Sequence, residues 1–282
     1  MYHRRSMGTT HRVATLALVG VIAGPAGAGA AWAAAPSVTP GTVVRWPGAE
    51  IEACAVGGRS WAPTGEACFF PVDLLASGSL RLERRRAGRS ESLIVRVGSY
   101  PYPEQRLEVE DRMVNLSAED LARVERENRE IAALWQRESL PRFSLPLAAP
   151  MAKLPTGGRF GARRVFNDQP RAPHGGADYS VPAGTPVLAA EDGIAVLVAD
   201  HFFSGNSVYL DHGGGLITMY FHLARVDVGA GQRVARGAPL GVVGATGRAT
   251  GPHLHFGVRW HGARVDPALL LGAVAAIPTV GH

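Results

Sequence analysis

The chain has 282 residues, 46% of them hydrophobic, enough to bury a sizeable core, and a formal charge of +5 from 29 basic and 24 acidic side chains. Three of those positive charges, Arg4, Arg5 and Arg12, fall in the first 33 residues, which hold no acid, so the remainder carries about +2. That balance excludes polyanion attraction as an organising principle, and no nucleic-acid partner is expected.

The opening residues combine the basic start with an apolar, alanine-rich run from Val13 to Ala31 and the small-x-small site Ala31-Trp32-Ala33. Together they predict a signal peptide over residues 1–33, cut near Ala33, and export to the periplasm or the extracellular face of the cell envelope. No stable membrane span is expected after cleavage; the alternative is retention of the run as an anchor. The two cysteines, Cys54 and Cys68, predict one disulfide in such a compartment. A loop of that size is worth roughly 3 kcal/mol in the chain-entropy account.

Residues 34–112 read as an N-terminal β domain. Val43–Trp46, Leu80–Glu83, Leu93–Val97 and Leu107–Val109 have strand character and are separated by Gly, Pro and Ser clusters. A small β-sandwich of immunoglobulin-like form, stapled by the disulfide, is the expected fold. Over residues 113–150 a connecting helix and linker follow. Ser117 is the N-cap, and Leu121, Val124, Ile131 and Leu134 form one apolar stripe. The proline-punctuated stretch from Leu140 to Pro150 is the linker, and the chain ahead of Gly157 is expected to fold across the groove of the region that follows and keep it latent.

From Gly157 to Leu271 the pattern is β throughout, with no amphipathic helix. One motif recurs: Val181-Pro182-Ala183-Gly184-Thr185-Pro186-Val187 and Val228-Gly229-Ala230-Gly231-Gln232-Arg233-Val234 share V-x-A-G-x-x-V, each followed by a further Gly and an apolar run. Two tandem hairpin units with pseudo-symmetry are implied. A lipoyl-type carrier would need a modified Lys at a hairpin tip. The only Lys, Lys153, lies outside both repeats and excludes it.

The chemistry concentrates in two short segments. In Gly251-Pro252-His253-Leu254-His255-Phe256 the histidines stand two apart, so on a strand both project from one face. In His174-Gly175-Gly176-Ala177-Asp178 the paired glycines argue against a helix and for a tight loop that folds both polar side chains inward. Two imidazoles and one carboxylate suffice for a catalytic zinc, which keeps a fourth position for water.

These segments, with Phe160-Gly161-Ala162-Arg163-Arg164, Gly205-Asn206, Tyr220-Phe221-His222-Leu223 and Thr246-Gly247, resemble the M23 zinc metallopeptidases of lysostaphin and LytM type over nearly all of Phe160 to Pro267. The resemblance implies a mainly β chain whose C-terminal region, residues 151–274, is an antiparallel β-sheet peptidase domain of duplicated hybrid type. It implies one zinc per chain bound by His174, Asp178 and His255, with His222 and His253 serving catalysis. Tyr179 stands where the family usually has an apolar residue.

The substrate so implied is peptidoglycan, cut at its peptide cross-links. The two-region layout favours the D-alanyl bond to diaminopimelate over glycine bridges. Arg171, three residues before His174, and Asn206 are further candidates for substrate binding. His201, His212, His261, His3, His11 and His282 read as surface or satisfied core residues. The competing reading is an inactive relative that binds wall and activates other hydrolases; such proteins lose metal ligands, and here all five positions are filled.

Overall fold

In this computed structural model, residues 35–137 and 139–281 are described; the expected signal segment, residues 1–33, lies outside them, as do His3, His11 and His282. Alternating burial in the first region builds two facing sheets. The strands are β1 (Ser37–Val38), β2 (Val43–Pro47), β3 (Ile51–Val56), β4 (Arg59–Trp61), β5 (Ala67–Pro71), β6 (Ser79–Arg86), β7 (Arg89–Val97) and β8 (Glu104–Leu107). A five-stranded sheet of order β1-β7-β6-β3-β4 packs on the two-stranded ribbon β2-β5. The division is five and two, whereas immunoglobulin constant-type domains divide four and three. Cys54 and Cys68 are disulfide-bonded and tie β3 to β5.

The ribbon is buried on both faces, and every residue of β5 is buried. Val44, Trp46, Cys68 and Phe70 enter the sandwich core. Val43, Ala67 and Phe69 join the core of the C-terminal region. The two regions therefore share this ribbon as a wall, and residues 35–282 form one compact unit. β8 begins three residues before the expected Leu107 and runs parallel to β9 (Arg163–Phe166), which also pairs with β10 (Gln169–Pro170).

Helix α1 (Ala118–Leu134) starts as expected: the Ser117 hydroxyl accepts from the Asp120 amide at 3.0 Å. The stripe is narrower than its spacing implies. Val124 packs with Met113 and Phe202, and Leu134 with Tyr209, while Leu121 is 49% exposed because only one edge of the stripe meets protein. In the linker, Leu147 and Met151 are buried in the C-terminal core and the Leu147 amide donates to Leu270. The linker is thus a packed strap; of the expected cover only Thr156 borders the groove.

The C-terminal strands are β11 (Gly176–Ser180), β12 (Pro186–Leu188), β13 (Gly193–His201), β14 (Gly205–Asp211), β15 (Leu216–Val226), β16 (Arg233–Val234), β17 (Pro239–Val243), β18 (His253–Trp260) and β19 (Ala263–Val265). The sheet path is β11-β18-β15-β14-β13-β16, with β12, β17 and β19 attached to it. The repeated motif makes the same turn twice. Gly184 (φ +84°) and Gly231 (φ +82°) occupy matching positions, where a left-handed backbone favours glycine. The strands then cross over: β12 pairs with β17, and β16 with β13, so each repeat completes the other's hairpin. The all-β pattern gives way once, at helix α2 (Pro267–Leu271), which Asp266 caps by accepting from the Ala268 amide. No helix among the described residues is long and apolar enough to cross a membrane.

His261 links the regions by stacking on Trp61, with ring centroids 4.1 Å apart. Burial, and then the charge of Arg59, push its pKa down to about 4. In the unfolded chain the ring protonates near 6.5, so its contribution to stability is full above that pH and is lost as pH falls from about 6.5 to about 4. The melting temperature is therefore expected to drop across this window, and less steeply in His261→Phe, which keeps the stack. Parallel pH profiles for the two proteins in thermal melts would contradict this.

Candidate metal centre

β18 lies between β11 and β15, and its register sets the site. Asp178 on β11 sits directly opposite His255, and Ser180 opposite His253. Asp178 is therefore a strand residue, not part of the tight loop expected from Gly175-Gly176; the loop ends at Gly175 because β11 pairs with β18 from Gly176 onward. The glycine has a steric reason: a Cβ at Gly176 would lie 2.6 Å from the Phe256 carbonyl and 2.7 Å from His255 Nε2.

His174, just ahead of the strand, is 3% exposed. Its Nδ1 lies 2.9 Å from the Arg159 carbonyl, which assigns the proton to Nδ1 and leaves a lone pair on Nε2. That Nε2 is 2.9 Å from His255 Nδ1 and 2.9 Å from Asp178 Oδ1, and the latter two atoms are 2.8 Å apart. Three electron-pair donors from two distant segments so converge on one point, the donor set of two imidazoles and one carboxylate that zinc accepts. The residues fit such an ion. Burial, and then the neighbouring His255 charge, lower the His174 pKa to about 4, so the ring is neutral at physiological pH. Burial alone would raise the Asp178 pKa, but the adjoining His174 and His255 imidazoles outweigh it and hold the carboxyl well below its usual range.

His222 reaches the same site by a bulge. Asn206 pairs with Leu223 and Val208 with Tyr220, so Phe221 and His222 together oppose one residue of β14. His222 has φ +64°. Strict alternation would send Phe221 and His222 to opposite faces; the bulge lets both serve the centre. Phe221 stacks on His255 at 5.1 Å and 4°, and His222 stands 4.6 Å from the His253 ring. The His222 Nδ1 donates to the Thr246 carbonyl at 2.8 Å, and His253 Nδ1 to Gly251 at 2.8 Å, which frees both Nε2 atoms as proton acceptors. Burial, and then the charges of His253 and His255, push the His222 pKa down to about 3. The His253 Nε2 is 3.8 Å from Asp178 Oδ1.

A cleft of about 300 Å³ opens over the cluster, bordered by Asp178, His222, His253, Arg164, Arg248 and Gln105. Two sequence candidates do not border it. Asn206 spends its side-chain amide on the Leu223 carbonyl at 3.0 Å, and Arg171 donates to Val114 and Gln169. Arg164 and Arg248 do border it, although neither was a substrate-binding candidate from the sequence. Gln105 comes from β8, so the N-terminal sequence supplies one wall. Of the remaining histidines, His212 is fully buried between the Asp192 carbonyl and the Thr218 hydroxyl.

A donor triad beside two further imidazoles at the base of a cleft in an antiparallel sheet defines a metallopeptidase-type centre, and residues 172–267 match peptidase family M23. A crystal structure of a peptidase M23 from Pseudomonas aeruginosa superposes with a TM-score of 0.65 and 36% identity, covering 83% of this chain and 95% of that one. The chain belongs to the M23 family. Peptidoglycan DD-endopeptidase ShyA of Vibrio cholerae is 47% identical over 85 residues, which are 30% of this chain and 20% of that protein. DD-carboxypeptidase/endopeptidase Mpg of Neisseria meningitidis is 41% identical over 106 residues, 38% of this chain and 23% of that protein. The matched segments thus span about a fifth of these curated relatives.

Gly176→Ala tests the packing behind the triad. The added methyl displaces either the Phe256 carbonyl or the His255 ring, and metal affinity is expected to fall by roughly 10- to 100-fold, as for other changes that misorient a ligand. Competition titration against a chromogenic chelator measures it; unchanged affinity would contradict the packing argument.

Proposed function

We propose that the chain is an exported, zinc-dependent endopeptidase that hydrolyses peptide cross-links of bacterial peptidoglycan, at the D-alanyl bond to diaminopimelate in preference to glycine bridges. The observation that carries this reading is the triangle of His174 Nε2, Asp178 Oδ1 and His255 Nδ1 at separations of 2.8–2.9 Å. A tetrahedral zinc shell spaces such atoms at about 3.3 Å, a few tenths of an ångström of adjustment. These three residues would hold one ion. The chemistry it supplies when bound is Lewis-acid polarisation of a carbonyl and acidification of water to a pKa near 7.

The chain's own side chains do the rest. His222 and His253 each offer an Nε2 lone pair toward the cleft, with Nδ1 pinned by a backbone carbonyl, so either can take a proton from water and later return it to the leaving amine. The depressed His222 pKa leaves that ring unprotonated throughout the neutral range. The Asp178 carboxylate orients the His255 imidazole, whose Nδ1 lies 2.8 Å from its Oδ1. The D-alanyl preference draws on the names of the relatives ShyA and Mpg, and an envelope location follows from the same substrate. All donor positions are filled, which speaks against an inactive binding protein.

Digestion of purified sacculi, with released muropeptides resolved by chromatography and mass spectrometry, tests this. The zinc-loaded protein is expected to convert cross-linked dimers to monomers, while His255→Ala loses at least about 10³-fold in rate and chelation has the same effect. Equal product from wild type and His255→Ala would overturn the reading.

A further inference from the structure

Arg248 is the least explained charge in the cleft. Its guanidinium carbon lies over the rings of Phe203 at 4.1 Å and Phe166 at 4.7 Å, which hold it in place. Among the described residues it makes one hydrogen bond, to the Met113 carbonyl at 3.3 Å, and has no carboxylate partner. Burial first, and then the charges of Arg164 and Arg171, lower its pKa to about 10, so it stays a cation at neutral pH without a counter-ion. Arg164 lines the same cleft. Its Nη2 lies 2.6 Å from Asp178 Oδ2, and its Nε is buried without a partner. The Oε1 of Gln105, which pairs with Arg164 across β8 and β9, is also buried and, among the described residues, unpartnered.

Gathering like charges in a partly buried wall is costly unless an anion completes them. Planar guanidinia held by stacking are suited to a carboxylate, which they grip through parallel N–H donors. The position adds a constraint: because Arg164 touches Asp178 and shares the cleft with Arg248, an anion held by the two arginines would sit beside the metal centre.

We propose that Arg248 and Arg164 form a receptor for a free α-carboxylate on the residue flanking the scissile bond. This rests on the peptidase reading above and names the group that such a peptidase recognises. A cross-link to diaminopimelate carries that carboxylate beside the bond, as does a chain-terminal D-alanine; an internal glycine bridge carries none. Charge-assisted pairing of this kind is worth about tenfold or more in affinity.

The test compares three substrates for the zinc-loaded full chain: a D-alanyl-diaminopimelate cross-linked dimer, the same dimer with the carboxylate beside the bond amidated, and a monomeric pentapeptide. Wild type is expected to favour the free acid by about tenfold or more in kcat/KM. Arg248→Gln narrows that ratio to below about twofold, chiefly through KM, and Arg248→Lys restores part of it. Calorimetric binding of both dimers to chelator-treated protein is expected to show the same preference and the same dependence on Arg248.

No discrimination in wild type, or an equal loss on both dimers in Arg248→Gln, overturns the receptor. If neither dimer is cleaved yet the free acid binds more tightly through Arg248, the receptor stands and the peptidase reading falls. If both are cleaved and bound alike, the reverse holds. Release of D-alanine from the pentapeptide that depends on Arg248 extends the receptor to chain ends; no release confines it to cross-links.

Discussion

The pairing of β11 with β18, with Asp178 opposite His255, is the constraint on which the centre depends. Side chains directly opposite on neighbouring strands stand about 5 Å apart at Cβ, close enough for a carboxylate and an imidazole to share an ion. A slip of one residue would turn Asp178 to the other face of the sheet and bring Ala177 or Tyr179 into its place. β18 can impose this register because it is held on both sides, by β11 and by β15. Leu254 and Phe256, which alternate with the two histidines, are fully buried on the opposite face and lock the strand's orientation.

Around that register the rest of the chain supplies positions that a sheet alone cannot. The bulge in β15 brings His222 to a site already occupied on its regular face by Phe221. Backbone carbonyls of Arg159, Thr246 and Gly251 fix the orientation of three imidazoles, so loop segments rather than acidic side chains set their tautomers. The N-terminal region is part of the same construction. Its β2-β5 ribbon lies between two cores, and β8 extends the small sheet that borders the cleft. An Asp73 carboxylate bonded to Arg264 at 2.6 Å adds a further tie between the regions.

What the sequence revealed follows from the range of each signal. The period of two in His253-x-His255, the Ser117 cap, the spacing of Cys54 and Cys68 and the repeated turn are local patterns, and each appears in the fold. The crossing of the two repeats is a matter of partner choice between strands some fifty residues apart, which no local pattern encodes. β5 escaped notice because burial on both faces erases the alternation that marks a half-buried strand. His222 stood out only through its neighbours in a family motif, since a bulge has no periodicity. Arg248 gave no signal at all; its role arises from Phe166 and Phe203, which come from other segments of the chain.

The central claim is that His174, Asp178 and His255 act as one cation-binding unit. Native mass spectrometry of the full chain, before and after chelation and again after zinc is restored, addresses it most directly. The account predicts a mass increment of one zinc per chain that disappears with chelator and returns on reloading. A protein that carries no metal and takes up none, while its circular dichroism shows the β fold intact, would contradict it.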